Sequence, residues 1–137
     1  MNRTSILKLV VVGILLLVIP ISAFSSGDDG KVVSRYQYTR SIKATLSINN
    51  NGTATCYGYI KANTVSDISL TVKLYKQSGS SWSLISSWSC SGNMMILDLL
   101  KTRAVASGTY KVVVSGSVTS PSGRTEQVTE TSAIITY

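Results

Sequence analysis

The chain contains no histidine, one phenylalanine, two prolines and only six acidic residues among its 137. Each shortage removes a class of function. Without histidine, a serine or cysteine nucleophile lacks its usual general base, so triad hydrolysis is not expected. With only two cysteines besides, the common zinc ligand sets cannot be assembled. The acids Asp28, Asp29, Asp67, Asp98, Glu126 and Glu130 form no Asp-rich loop of the kind that wraps calcium. Glu126 and Glu130 can share a strand face, but at roughly 3.3 Å per residue they stand about 13 Å apart, too far for a glycosidase carboxylate pair. Glycines fall singly rather than in a phosphate-cradling motif. No metal and no cofactor is expected, and the chain reads as non-catalytic.

What is present begins with an export layout. Residues 1–25 combine basic Arg3 and Lys8, an uncharged and mainly apolar run over 9–21, and small residues in Ala23-Phe24-Ser25. This is the pattern of a signal peptide cleaved after Ser25. The apolar run falls short of the roughly 20 residues that span a bilayer, so no permanent membrane span is expected after cleavage. Residues 26–34 (polar at Ser26, Gly27, Asp28, Asp29 and Gly30) read as a flexible mature N-terminus, and residues 35–137 as one domain. The expected location is secreted and extracellular.

The formal charge is +7, and losing the leader's Arg3 and Lys8 lowers it by two. The remaining cations are spread along the chain with no basic stripe, so nucleic acid is not an expected partner. Mild attraction to an anionic cell envelope and a merely soluble surface both account for such a charge. Cys56 and Cys90, an even count in a chain sent to an oxidising compartment, are expected to form a disulfide. Closing that loop would contribute roughly 3 to 4 kcal/mol in the chain-entropy picture.

Period-two alternation dominates from residue 42 onward. Ile42, Ala44, Leu46 and Ile48 alternate with Lys43, Thr45 and Ser47, as a half-buried strand requires. Asn49-Asn50-Asn51-Gly52 supplies a turn, and the Asn-Gly step favours a tight hairpin into residues 53–62 with Ala54, Cys56, Gly58 and Ile60 inward. Ile68, Leu70, Val72 and Leu74 mark a third strand. After a Ser/Gly loop, Trp82, Leu84, Ser86, Trp88 and Cys90 share one parity and are placed in the core. Residues 94–100 are apolar without clean alternation, and a short helical turn is one reading of 101–106. Tyr110, Val112, Val114, Gly116 and Val118 mark a sixth strand. Pro121-Ser122-Gly123 turns the chain, and a parity switch within 124–137 implies either a β-bulge or two short strands.

About seven short strands with turn signals between them fit an all-β, antiparallel two-sheet sandwich, immunoglobulin-like. Residues 97–113 (LDLLKTRAVASGTYKVV) resemble the immunoglobulin-type passage in which a strand crosses into a Gly-x-Tyr strand, which makes Tyr110 the corner tyrosine. Val112 stands where antibody domains carry their second core cysteine, so an antibody-like bridge is not implied.

Four segments together carry a wider resemblance: Gly52-Thr53-Ala54-Thr55-Cys56, Ser81-Trp82 with Trp88, Gly108-Thr109-Tyr110-Lys111-Val112, and Ser122-Gly123-Arg124-Thr125-Glu126 on to Ser132. The chain resembles a family of small secreted β-sandwich domains of unknown function from Gram-positive bacteria. That resemblance implies a fold and a location, and no catalytic or ligand residue.

The one pattern that points to a ligand is aromatic. Tyr57 and Tyr59 lie on the outward parity of the second strand and Tyr75 on that of the third, beside Lys61 and Lys73. If adjacent strands align them, they form a tyrosine strip that stacks on sugar rings or anchors a protein; the same residues also serve as cross-strand pairs of an exposed sheet. The expected function is a binding module for an envelope glycan or a surface protein. The alternative, from small size, export and net positive charge, is a secreted bacteriocin-like or membrane-active antagonist.

Overall fold

The structure, a computed structural model, describes residues 36–137. The expected leader 1–25 and the segment 26–34 lie outside the described residues. Six strands follow in order: β1 (Thr39–Ile48), β2 (Thr53–Ser78), β3 (Ser81–Ala104), β4 (Thr109–Thr119), β5 (Thr125–Thr131) and β6 (Ile135–Thr136). All pairings are antiparallel. The ladder runs β1-β2-β4-β5, with β3 also on β2 and β6 on β4.

The expected all-β, antiparallel architecture is present among the described residues, as one continuous sheet curled into a half-barrel rather than a plain two-sheet sandwich of about seven strands. Two pairs of separate runs prove to be single strands: 53–62 with 68–74 in β2, and 82–90 with 94–100 in β3. β3 also continues to Ala104, so the helical turn considered for 101–106 does not form. The N-terminal half of β2 pairs with β1 on one side and with the end of β3 on the other. Its C-terminal half pairs with the start of β3 and with β4.

The two halves meet at a corner. Between Lys61 and Ser66 β2 advances five residues while β3 advances only from Ile96 to Met94, so Ala62, Asn63, Thr64 and Val65 form a bulge that bends the strand. Asn63 fastens this corner to the chain ahead of β1: its N–H donates to the Tyr38 carbonyl (2.9 Å) and its Nδ2 to the Gln37 carbonyl (2.9 Å). Glu126, on β5, grips the same segment from the other side. Its carboxylate accepts from the N–H groups of Gln37 (2.5 Å), Tyr38 (3.1 Å) and Thr39 (2.9 Å) and from Thr39 Oγ1 (2.8 Å). Charge-assisted bonds of this kind are the stronger ones, and here they bring β1 against β5.

The even-numbered positions of β2 face inward on both sides of the corner. Ala54, Cys56, Ile60, Ala62, Ile68, Leu70, Val72 and Leu74 are all buried, against Val112, Val114, Val118 and Val128. Gly116 marks the tightest approach, since a Cβ there would stand 2.0 Å from the Ser69 carbonyl oxygen and 2.7 Å from Ile60 Cδ1. Tyr110 forms the corner tyrosine read from the sequence: it is buried, and its hydroxyl donates to the Ala106 carbonyl (2.7 Å). The Asn49–Gly52 turn also forms as expected, with Gly52 at φ 80° and its N–H donating to the Asn49 carbonyl (3.1 Å).

Two expectations are corrected. A bulge between Leu74 and Tyr75 leaves Ile85 as the extra residue on β3, because Leu74 faces Ser86 while Tyr75 faces Leu84. The parity of β3 flips there, so Trp82 and Leu84 lie on the outer face, with Leu84 52% exposed, whereas Trp88 keeps its packing against the core. The Cys56–Cys90 disulfide does not form, and both thiols are free. Cys56 sits in the ladder between Leu46 and Lys101, Cys90 opposite Leu70. The two belong to opposite halves of the bent sheet, and the Cys90 thiol donates instead to the Asp98 carbonyl (3.9 Å).

Two outcomes follow for stability. Gly116→Ala is expected to lower the urea-unfolding free energy by about 3 kcal/mol, the upper range for overpacking, because the obstacle is backbone. Glu126→Ala, which strands three N–H groups, is expected to cost about 2 kcal/mol, with the slope of the urea transition unchanged.

Candidate binding face

The outer face of the N-terminal half of the sheet is built row by row from its register. Thr45, Tyr57 and Leu100 form one row across β1, β2 and β3; Lys43, Tyr59 and Asp98 form the next; Ser41, Lys61 and Ile96 form the third. Residues directly across a ladder share a face, so these nine side chains present one surface. The rings of Tyr57 and Tyr59 lie 6.2 Å apart, tilted by 52°, and the Tyr57 hydroxyl donates to Asp98 Oδ2 (3.3 Å). Partial burial, helped by the negative charge of Asp98, pushes the Tyr57 hydroxyl above its ordinary value of 10.0, so it stays a donor at neutral pH. Ile96 and Leu100, 50% and 59% exposed, extend the face as apolar ground. Lys43 and Lys61 supply cations along β1 and β2.

The structure brings two of the three expected tyrosines together and leaves the third apart. Residues 53–62 and 68–74 are one strand rather than neighbouring strands, and the corner of that strand lies between Tyr59 and Tyr75. It pairs instead with Lys111 and Leu84 in the other half of the sheet. Nor are Tyr57 and Tyr59 cross-strand partners; they are successive outward residues of β2.

Sequence reading missed Asp98, Ile96 and Leu100. The signal was the failed alternation of residues 94–100. Leu97 is buried and Leu99 packs partly against the core, while Ile96 and Leu100 face solvent, so apolar residues occupy both faces and the period disappears. A second feature left no sequence signal. At the far end of the β2–β3–β4 ladder a shallow cleft is lined by Asp67, Ser69, Ser91, Asn93, Ser117 and Thr119. There Asn93 Nδ2 donates to Asp67 Oδ1 (2.6 Å), and the Ser69 and Ser117 hydroxyls are 2.7 Å apart.

The chain matches no protein-family model and no curated protein. Its likeness is to solved structures alone. Crystal structures of wild-type OgpA from Akkermansia muciniphila in two crystal forms align with it at TM-scores of 0.41, with 12% and 11% identity over 77% and 74% of this chain. The chain spans 32% of the length of OgpA. Likeness at this level carries no functional argument.

The two thiols have distinct surroundings. Cys56 is buried in the core, and burial pushes its thiol from 9.0 up to about 11. Cys90 is half-buried; burial and the charge of Asp98 raise its thiol, with Lys101 pulling the other way. Because the native state disfavours the Cys56 thiolate, the associated stability is fully present below the unfolded thiol value and is lost as pH rises from about 9 to about 11. Iodoacetamide at pH 8 is therefore expected to add slowly to Cys90 and not to Cys56 in the folded protein, and to both in urea, read by intact mass. A bridged protein would show no adduct in either condition.

Proposed function

We propose that this chain is an exported, non-catalytic module that binds a glycan of the cell envelope through the outer face of β1, the first half of β2 and the end of β3. The observation that carries this reading is the Tyr57–Tyr59 pair standing beside the carboxylate of Asp98 on an exposed, otherwise mixed surface. Sugar rings offer an apolar face and an equatorial rim of hydroxyls. Tyrosine rings supply stacking area at low entropic cost, and a carboxylate accepts two hydroxyl hydrogen bonds in a fixed direction. Ile96 and Leu100 widen the platform for a second ring, and Lys43 and Lys61 favour a glycan carrying negative charge.

Export is supported by the leader pattern of residues 1–25, and the non-catalytic reading by a sequence without histidine. The Tyr110 corner supports an immunoglobulin-like origin for the scaffold, with the two halves of the half-barrel standing for the two sheets of that fold.

The test is titration of the secreted protein with soluble fragments of cell-wall glycan, followed by calorimetry. Tyr57→Ala and Tyr59→Ala are each expected to weaken binding about tenfold, the loss of one stacked ring. Asp98→Asn should weaken it less, because one acceptor oxygen remains, and Tyr75→Ala should leave it unchanged. Equal losses at Tyr75 and Tyr57, or binding indifferent to all four changes, would sink the proposal.

A further inference from the structure

The residues displaced by the Ile85 bulge form a second surface at the opposite end of β2. Trp82 and Leu84 turn outward there, facing Gln77 and Tyr75 across the ladder. Tyr75 in turn faces Lys111, and Lys73 faces Val113 and Ser87. The Lys111 ammonium lies 4.3 Å from the centre of the Trp82 ring and 6.0 Å from that of Tyr75. Lys76, near the same end, stands 5.7 Å from the Tyr110 ring. Beyond Lys76 the hairpin has no further partner on β4, so its last two pairs, Gln77–Trp82 and Ser78–Ser81, project past the sheet.

Charge on this end has one sign. Among the ladder residues 73–78, 81–87, 109–113 and 135–136 there is no aspartate or glutamate, while Lys73, Lys76 and Lys111 are all present. Arg103 reaches the same region, where Nη1 donates to the Ile85 carbonyl (2.8 Å) and meets the Ser86 hydroxyl. The end of the hairpin therefore combines an indole, an exposed leucine and a phenol with flanking cations. The apolar atoms lie at the hairpin end and the ammonium groups on flexible stems beside them.

We infer that the end of the β2–β3 hairpin docks reversibly on an anionic lipid surface. Indole and phenol rings favour the boundary between headgroups and acyl chains. Lysine stems lie along apolar ground while their ammonium groups stay among headgroup phosphates, and each cation near a negative leaflet adds attraction. Leu84, 52% exposed, supplies the aliphatic side chain that enters below the headgroups. An acidic protein partner would satisfy the lysines but would leave no comparable medium for Leu84 and the Trp82 edge. This inference does not depend on glycan binding, which uses the other half of the sheet.

The test is sedimentation of the protein with vesicles of phosphatidylcholine alone or mixed with phosphatidylglycerol, together with tryptophan emission. Wild-type protein should sediment with the anionic vesicles, less so as salt rises, and its emission should shift to the blue. Trp82→Phe should abolish that shift, since Trp88 already packs against the core. Lys73→Gln and Lys111→Gln should each weaken binding about five-fold, Leu84→Ser should weaken it further, and Tyr57→Ala should have no effect. The inference is overturned by equal binding to neutral vesicles, or by binding insensitive to Leu84→Ser and Trp82→Phe. It is also overturned if soluble polyglutamate produces the same Trp82 shift without vesicles, which would identify an acidic protein partner instead.

Discussion

The inward parity of β2 is the constraint on which the rest of the domain depends. Its even-numbered residues are buried from Ala54 to Ala62 and again from Ser66 to Leu74, on either side of a corner at which β2 advances three residues more than β3. A straight strand of this length would extend about 85 Å, at roughly 3.3 Å per residue, several times the radius of gyration of a domain of this size. It must bend to bury its own two halves against each other. Because side chains alternate faces with a period of two, β2 keeps its even-numbered residues inward on both sides of the corner, while the odd offset of three moves the inward side of β3 from Trp88 and Cys90 to Leu97 and Leu99.

The two seams of the half-barrel are treated differently. On one side, Glu126 and Asn63 satisfy the backbone groups of residues 37–39, and the Tyr36 hydroxyl bonds Thr129. Unpaired strand edges invite pairing with other chains, and here side chains cover them. On the other side β3 runs along both halves, spanned by the Arg103 contact to Ile85 and Ser86. Five of the eight large apolar side chains exposed among the described residues, Leu84, Met94, Met95, Ile96 and Leu100, belong to β3. Both surfaces for which binding is proposed therefore draw on this one strand, at its beginning and near its end.

Local alternation was legible where one face of a strand is buried and the other is wet. Residues 42–48, 68–74 and 110–118 show the expected faces, and Tyr110 makes the corner bond that its Gly-x-Tyr setting implied. The turns at Asn49–Gly52 and at Gly123 occur where Asn-Gly and Pro-Ser-Gly place them. Legibility failed wherever register mattered. A single inserted residue, Ile85, reverses Trp82 and Leu84, and nothing in the composition of that stretch marks the insertion. The expected bridge between Cys56 and Cys90 rests on compartment and even count, neither of which carries positional information.

By itself the sequence determined the all-β class of fold, the turns and most inward faces, because these depend on side-chain type and on a period of two along a short stretch of chain. Only the tertiary structure decided that seven runs become six strands, that Tyr57 and Tyr59 stand beside Asp98 while Tyr75 lies in the other half of the sheet, and that Trp82 joins Lys111 at the surface. Those outcomes depend on strand pairing between residues distant in the chain, where a one-residue slip exchanges the two faces at little local cost.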